Sequence, residues 1–312
     1  MIPPHSADHS NIRRHLVNSS QNKSLAVLGG KGAYSYLAAR KYFSASDNSY
    51  LACDSFESVL SSVAQGKVDY GVIPIENTTS GGITEVYDLL LESNLSIVGE
   101  EKYSVDHCLV GINSAQLAEI SEVVAHPQAS RQCSQNLKSL NLTNLKAAKI
   151  NLIESTAHAL SYVVDQDSSK VAAIACAEAA ELFGLKVLKS DISNQTENIT
   201  RFLVLARSPI EIDLSVDCKT SIALSTGQKA GSLAEVLSLF HQADIPLCRL
   251  ESRPILNKPW EQMFHLDLVG NISDPKVAQT IDLLSNQCPY LRILGSYPTE
   301  ILPIDGKENT KS

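Results

Sequence analysis

The sequence predicts an α/β protein with two lobes around a cleft, followed by a compact βαββαβ unit of the ferredoxin-like kind. Three observations predict it. From Leu25 to Leu205, short apolar runs alternate with longer segments of helical periodicity, the pattern of βαβ units. Near Ser208 the texture changes, and SPIEIDLSVDCK reads as a linker. Beyond it come strand, helix, two strands, helix and strand, in the split βαβ order.

Taken in order, LAVLGG reads as a strand ending in a glycine turn, and GAYSYLAARKYF as the helix after it. VDYGVIPIEN reads as a strand with Val68, Tyr70 and Val72 on one face. The next helix sets Ile83, Val86, Tyr87 and Leu90 along one stripe. LSIVGE and HCLVGI are strands leading into a second α/β set: VVAHP, a helix from Gln128, a strand around KINLIES and a helix from Thr156. TRFLVLAR is a late strand expected to return to the first sheet, and that return creates the two lobes. In the C-terminal unit the first helix carries Leu233, Val236, Leu237 and Phe240 on one face. The expected division is a disordered lead-in over 1–23, a bilobal domain over 24–207, a linker over 208–218, the βαββαβ domain over 219–300 and a tail over 301–312. No internal repeat relates the halves.

With 44% apolar and 19% charged residues the chain has the composition of a globular protein. A net charge of −8 argues against a nucleic-acid binder, because no basic stripe can displace counterions from phosphates. Seven scattered cysteines without a CxxC pair suggest neither a disulfide framework nor a zinc site, and fit a reducing cytoplasm. No apolar run approaches bilayer length, so no membrane partner is expected. The first residues lack the apolar core of a secretory signal; Arg13 and Arg14 among Ser and Asn keep a transit peptide as the lesser reading.

Four clusters carry chemistry. PIENTTSGG ends an apolar strand, where α/β folds place ligands, and offers Glu76, Asn77 and Ser80 beside two glycines. The same residues read as a helix start capped by Thr79 or Ser80, and such caps are common. AHPQASRQC sets Gln128 and Gln132 four residues apart on one helical face, the spacing of solvated glutamines as well as of substrate amides. His107 and His126 flank strands, where a structural role is the simpler reading. ESTAHAL places Glu154, Ser155 and Thr156 before a helix, whose unpaired amides suit an anion. In ENITRFLVLAR, Thr200 and Arg201 precede a buried strand, and Arg201 suits either a surface ion pair or a bidentate carboxylate clamp. LGGKGAYS matches neither nucleotide-binding glycine pattern.

The set GGKGAYSYLA, PIENTTSGGITEVYDLL, HPQASRQC, ESTA and NITRFLVL resembles the prephenate dehydratases, and AGSLAEVLSLF with LCRLESRPI resembles their ACT regulatory domain. The resemblance runs from about Leu25 to about Pro298 with the motifs in the family's order. NKPWEQMFHLDL is particularly similar to the dehydratase half of bifunctional chorismate mutase–prephenate dehydratases. About 24 polar residues ahead of the first strand cannot supply a helical mutase, so a monofunctional enzyme is expected.

The resemblance implies a periplasmic-binding-protein-like catalytic domain and the decarboxylating dehydration of prephenate to phenylpyruvate in phenylalanine biosynthesis. Aromatisation drives that reaction, so no cofactor and no metal are implied. By resemblance Thr200 is the proton donor, with Glu76, Asn77, Gln132 and Glu154 tuning and orienting. Arg201, Phe202, Ser155, Thr156, Ser80, Tyr34 and Ser35 bind substrate. L-Phe, as feedback inhibitor, meets Gly231, Ser232 and Leu233 and the facing Glu251, Ser252, Arg253 and Pro254, in a homodimer or homotetramer. Ala33 and Ala125 stand where the family usually has hydroxyls, and Ser232 stands in its usual GAL; the first two are expected to remove hydroxyls from the cleft. The readings to separate are this one, arogenate dehydratase, an amino-acid-binding protein and an inactive regulator.

Overall fold

The computed structural model describes residues 22–44, 47–140, 149–255 and 258–299; the expected tail, and the lead-in apart from residues 22 and 23, lie outside them. The chain forms two compact units. Among the described residues, one joins those of Asn22–Leu89 with those of Glu101–Leu203, and the other joins Leu90–Glu100 with those between Val204 and Thr299. The boundaries expected at 207 and 218 therefore fall inside the second unit, which also takes in an eleven-residue stretch from the middle of the chain.

The first sheet is built on β1 (Ser24–Leu28), which pairs in parallel with β2 (Ser49–Cys53) and β3 (Tyr70–Asn77). Leu25, Ala26 and Val27 are all buried, as a central parallel strand covered by helices on both faces requires. Those helices are α1 (Tyr34–Phe43) and α2 (Phe56–Ala64), the latter with a Ser55–Ser58 capping box. The sheet order is β2-β1-β3-β11-β5, with β4 (Gly81–Gly82) on β3. Here β5 is Ser96–Ser104 and β11 is Ile199–Ala206, so the TRFLVLA strand does return to the first sheet. The strand that was expected from Val68 begins at Tyr70, leaving Val68 buried ahead of it. Tyr70–Asn77 is not one-faced: Gly71, Val72 and Ile73 are consecutive and buried, because the strand lies inside the sheet.

The second sheet has the order β10-β6-β9-β7-β8. These strands are β6 (Cys108–Gly111), β7 (Glu122–Ala125), β8 (Lys149–Leu152), β9 (Val171–Ala175) and β10 (Lys186–Lys189). β9 runs parallel to β7 and antiparallel to β6, so the sheet is mixed. Leu109, Ile120, Val123, Ala172 and Ile174 form its core with Leu137. Four helices accompany this sheet in the chain: α4 (Pro127–Gln132), α5 (Ser134–Ser139), α6 (Thr156–Gln166) and α7 (Ala177–Leu182).

In the other unit β12 (Cys218–Ser225), β13 (Leu247–Pro254), β14 (Gln262–Val269) and β15 (Tyr290–Pro298) make an antiparallel sheet of order β13-β14-β12-β15. That is the expected ACT-like βαββαβ order. Helices α8 (Ser232–Gln242) and α9 (Pro275–Gln287) bury Val236, Phe240, Ile281 and Leu284 against Ile222, Leu224, Leu266 and Leu268. The same unit holds the chain after α3 (Thr84–Glu92). Arg292 donates to the carbonyls of Leu91, Ser93 and Leu95, a cation at a helix C-terminus where backbone oxygens lack partners. Three residues on, Gly295 lies against the backbone of Ile97, and a Cβ there would collide with the Ile97 carbonyl oxygen. Among the described residues no helix is long and apolar enough to cross a membrane.

Candidate active site

The site grows from the end of β3. Asn77 is buried, and its Oδ1 accepts the backbone N–H groups of Thr79 (2.9 Å) and Ser80 (3.1 Å). This Asx turn reverses the chain, Gly81 takes φ +80°, and Gly81–Gly82 pair back on Asn77 and Glu76. Thr79 and Ser80 therefore do not cap α3, the alternative that the local sequence offers. The turn folds them back beside Asn77.

Asn77 then spends its amide hydrogens across the sheet, on Asn198 Oδ1 (2.7 Å) and Thr200 Oγ1 (2.9 Å). The Thr79 hydroxyl meets Asn77 Oδ1 at 2.6 Å and accepts from Gln132 Nε2 at 2.8 Å. Gln132 belongs to α4 of the second sheet, so this bond spans the cleft. Its Oε1 lies 2.9 Å from His107 Nε2, and His107 Nδ1 lies 3.2 Å from the Tyr34 hydroxyl. His107 is buried; burial lowers its pKa from the ordinary 6.5, against opposing pulls from the Gln132 bond and Asp106. Burial raises the Tyr34 phenol well above 10. A cleft of 540 Å³, within the usual range for small-molecule sites, is lined by Thr79, Ser80, Gln128, Arg131, Gln132 and Asn198 among others.

Other expected residues fall elsewhere. Arg201 follows Thr200 on β11, and successive strand residues face opposite ways, so the two do not point to one place. Arg201 is buried, with its Nε 2.7 Å from Glu76 Oε1. Phe202 is buried in the strand, and Ser35 in α1. Ser155 caps α6 by accepting from the His158 N–H, and Thr156 is buried behind it. The Glu154 side chain is 90% exposed, 3.8 Å from His158, and is not joined to the Asn77 group. His126 caps α4 through Nδ1.

Ala33 is the buried N-cap of α1, next to Tyr34, and Ala125 is fully buried in the second sheet's core, one residue before His126. Of the sensor residues, Gly231 precedes α8, Leu233 is half-buried in its first turn, and the Ser232 hydroxyl bonds Thr226. Glu251, Ser252, Arg253 and Pro254 end β13, one of the sheet's two edge strands, where Glu251 lies 3.6 Å from Arg249.

Two residues were not singled out from sequence. Asn198 opens the NITRFLVL motif two residues before Thr200, and its bond to Asn77, 121 residues away, shows its part in the site. Arg131 lies beside Gln132 but off the face that Gln128 and Gln132 share; among the described lining residues it is the one charged group.

A two-lobed α/β unit whose cleft is lined by amides, hydroxyls and one cation, joined to an ACT-like module, defines an enzyme for a small anionic substrate. Residues 25–210 match the family model described as prephenate dehydratase. The chain belongs to the prephenate dehydratase family. It is 42% identical over 278 residues to the bifunctional chorismate mutase/prephenate dehydratase of Enterobacter agglomerans, covering 88% of this chain and 70% of that one. The solved prephenate dehydratase of Arthrobacter aurescens, in complex with L-Phe, is 28% identical with a TM-score of 0.77 over 90% of this chain and 93% of that one. A structure described as a novel type of quorum-quenching acylase, GqqA, is 29% identical with a TM-score of 0.78 over 89% and 98%.

Proposed function

We propose that the chain converts prephenate to phenylpyruvate, carbon dioxide and water, with Thr200 delivering the proton and L-Phe acting as feedback inhibitor. Family membership supports the reaction, and one observation carries the role of Thr200. Its Oγ1 accepts from the Asn77 amide, and among the described residues none takes its hydrogen. In the reaction the bond to the ring carboxylate breaks and its electron pair completes the aromatic ring. The ring hydroxyl leaves as water, taking the Thr200 hydrogen. Threonine is a weak acid, so the negative charge that builds on Oγ1 needs a donor already in place, and Asn77 Nδ2 is that donor. Arg131, the charged residue among the described cleft lining, supplies the cation for a substrate carboxylate, a part that the family resemblance gave to Arg201.

The test is phenylpyruvate appearance by ultraviolet absorbance from purified protein and prephenate, with arogenate as the comparison substrate. Absence of turnover on prephenate would reject the reading; faster turnover of arogenate would reassign the substrate. L-Phe binding is followed by calorimetry on the full chain. A cut after Arg207 would uncover Leu90–Glu100, which packs in the C-terminal unit, so truncation is the poorer test. Sedimentation with and without L-Phe tests the homodimer or homotetramer.

A further inference from the structure

The hydrogen bonds from Tyr34 to Thr200 have a direction, and backbone groups set it. Asn77 Oδ1 faces two backbone N–H groups, which can only donate, so this atom is the amide oxygen. The Thr79 hydroxyl, 2.6 Å away, must therefore donate to it. Having spent its hydrogen, Thr79 Oγ1 can only accept from Gln132, so the Gln132 atom at 2.8 Å is the nitrogen. That turns Gln132 Oε1 toward His107 Nε2, which must carry a hydrogen to bond it. A neutral ring then has a bare Nδ1, which accepts from the Tyr34 hydroxyl.

We infer that His107 is a positioning residue, held as the Nε2–H tautomer, that locks Gln132 with its amide hydrogens turned toward Thr79 and the cleft. One Gln132 hydrogen goes to Thr79 and the second is left for a ligand in the cleft that Gln132 lines. Were His107 to present a bare Nε2 or an apolar group, the Thr79 bond would be left alone to hold the amide against turning. A reversed Gln132 would show its carbonyl oxygen to an anion and take the Thr79 hydrogen away from Asn77. Burial of the ring favours the neutral form this arrangement requires. The functional side of the inference rests on the cleft being the prephenate site; the tautomer does not.

Two measurements keep these apart. The first is nitrogen NMR of the full chain labelled in histidine, with the His107 signal assigned by its loss in His107→Gln. The expected spectrum shows a protonated Nε2 and a bare Nδ1 at neutral pH. An Nδ1–H tautomer, or a doubly protonated ring, overturns the inference whatever the enzyme does. The second is kcat/KM for prephenate in three variants. Glutamine places its amide nitrogen near the ring's Nε2, whereas asparagine reaches only near Nδ1. His107→Leu is expected to lose about 100-fold, the scale of a misplaced positioning group, with His107→Gln recovering most of it and His107→Asn little. Equal losses in Gln and Asn, or a better Asn variant, would overturn the role. A wild-type protein inactive on prephenate would sink the proposed reaction and leave the tautomer to the spectrum.

Discussion

The turn after β3 and the turn after β8 look alike in sequence: each puts an acid, a polar side chain and a hydroxyl between a strand and a helix. Their structures diverge. After β3, Asn77 holds its own turn, Asn198 and Thr200, while Thr79 reaches Gln132 of the second sheet. After β8, Ser155 bonds the amide three residues on, and Glu154 stands in solvent beside His158. The difference lies in sequence distance. One turn is satisfied locally and could cap any helix; the other completes its bonds with residues 53 to 123 positions away. A polar cluster becomes a site when distant elements finish it.

The sharpest way to break this comparison is Thr200→Ala, expected to lower kcat by about two to four orders of magnitude, the span of positioned acid catalysis. Thr200→Ser keeps the hydroxyl and should retain more. Steady-state kinetics with a fold check by circular dichroism decide it, and near-normal turnover in the Ala variant would remove Thr200 from the chemistry. Next in size is Arg131→Gln, expected to raise KM for prephenate about 10-fold with kcat held, the signature of lost substrate binding. Arg201→Gln should instead lower the melting temperature, because it leaves Glu76 without its partner at 2.7 Å. If Arg201→Gln raised KM with unchanged stability, the clamp would belong to Arg201 after all.

For the turn after β8, Ser155→Ala should cost about 1 kcal/mol of stability as a lost cap, with kcat unmoved. Glu154→Gln should change stability by less than about 0.5 kcal/mol, as exposed substitutions usually do, and leave turnover alone. Both are read by denaturant unfolding beside kinetics, and a large fall in kcat for either would restore that turn to the site. Ala33→Ser, at the uncapped start of α1, should add up to about 1 kcal/mol without altering kcat, by the same measurements.

Much of the fold is legible in the sequence because its elements carry strong periods. The C-terminal βαββαβ order and the stripe through Val86 and Leu90 follow from apolar spacing; the buried run of Thr200–Ala206 marks a strand, and its place in the first sheet is seen only in the structure. What escaped was short or featureless. β9 is five buried residues, VAAIA, whose burial on both faces erases alternation; α7 is six residues, AEAAEL, too short to show a stripe. β2 is mostly exposed at an edge; α2, by contrast, has a Ser55 cap and an apolar face through Val59, Leu60 and Val63 that the sequence does carry. Within the site, residue type left Asn77, Gln132 and Thr200 ambiguous and the family resemblance picked them out; their bonding was not legible by either route. The partition of Thr200 from Arg201 depends on which sheet face each takes. His107 was read as a plain structural histidine because its partners lie 25 and 73 positions away.

Gly295 carries one more consequence. Where side chains separate two backbones, a shift of one can be absorbed by a changed rotamer on the other. At Gly295 and Ile97 main chain meets main chain, and Arg292 grips three carbonyls just upstream. The seam has no compliant layer. A displacement of β15 by even a methyl's width must carry the Leu91–Ile97 backbone with it, so the joint acts as a rigid linkage rather than a cushion.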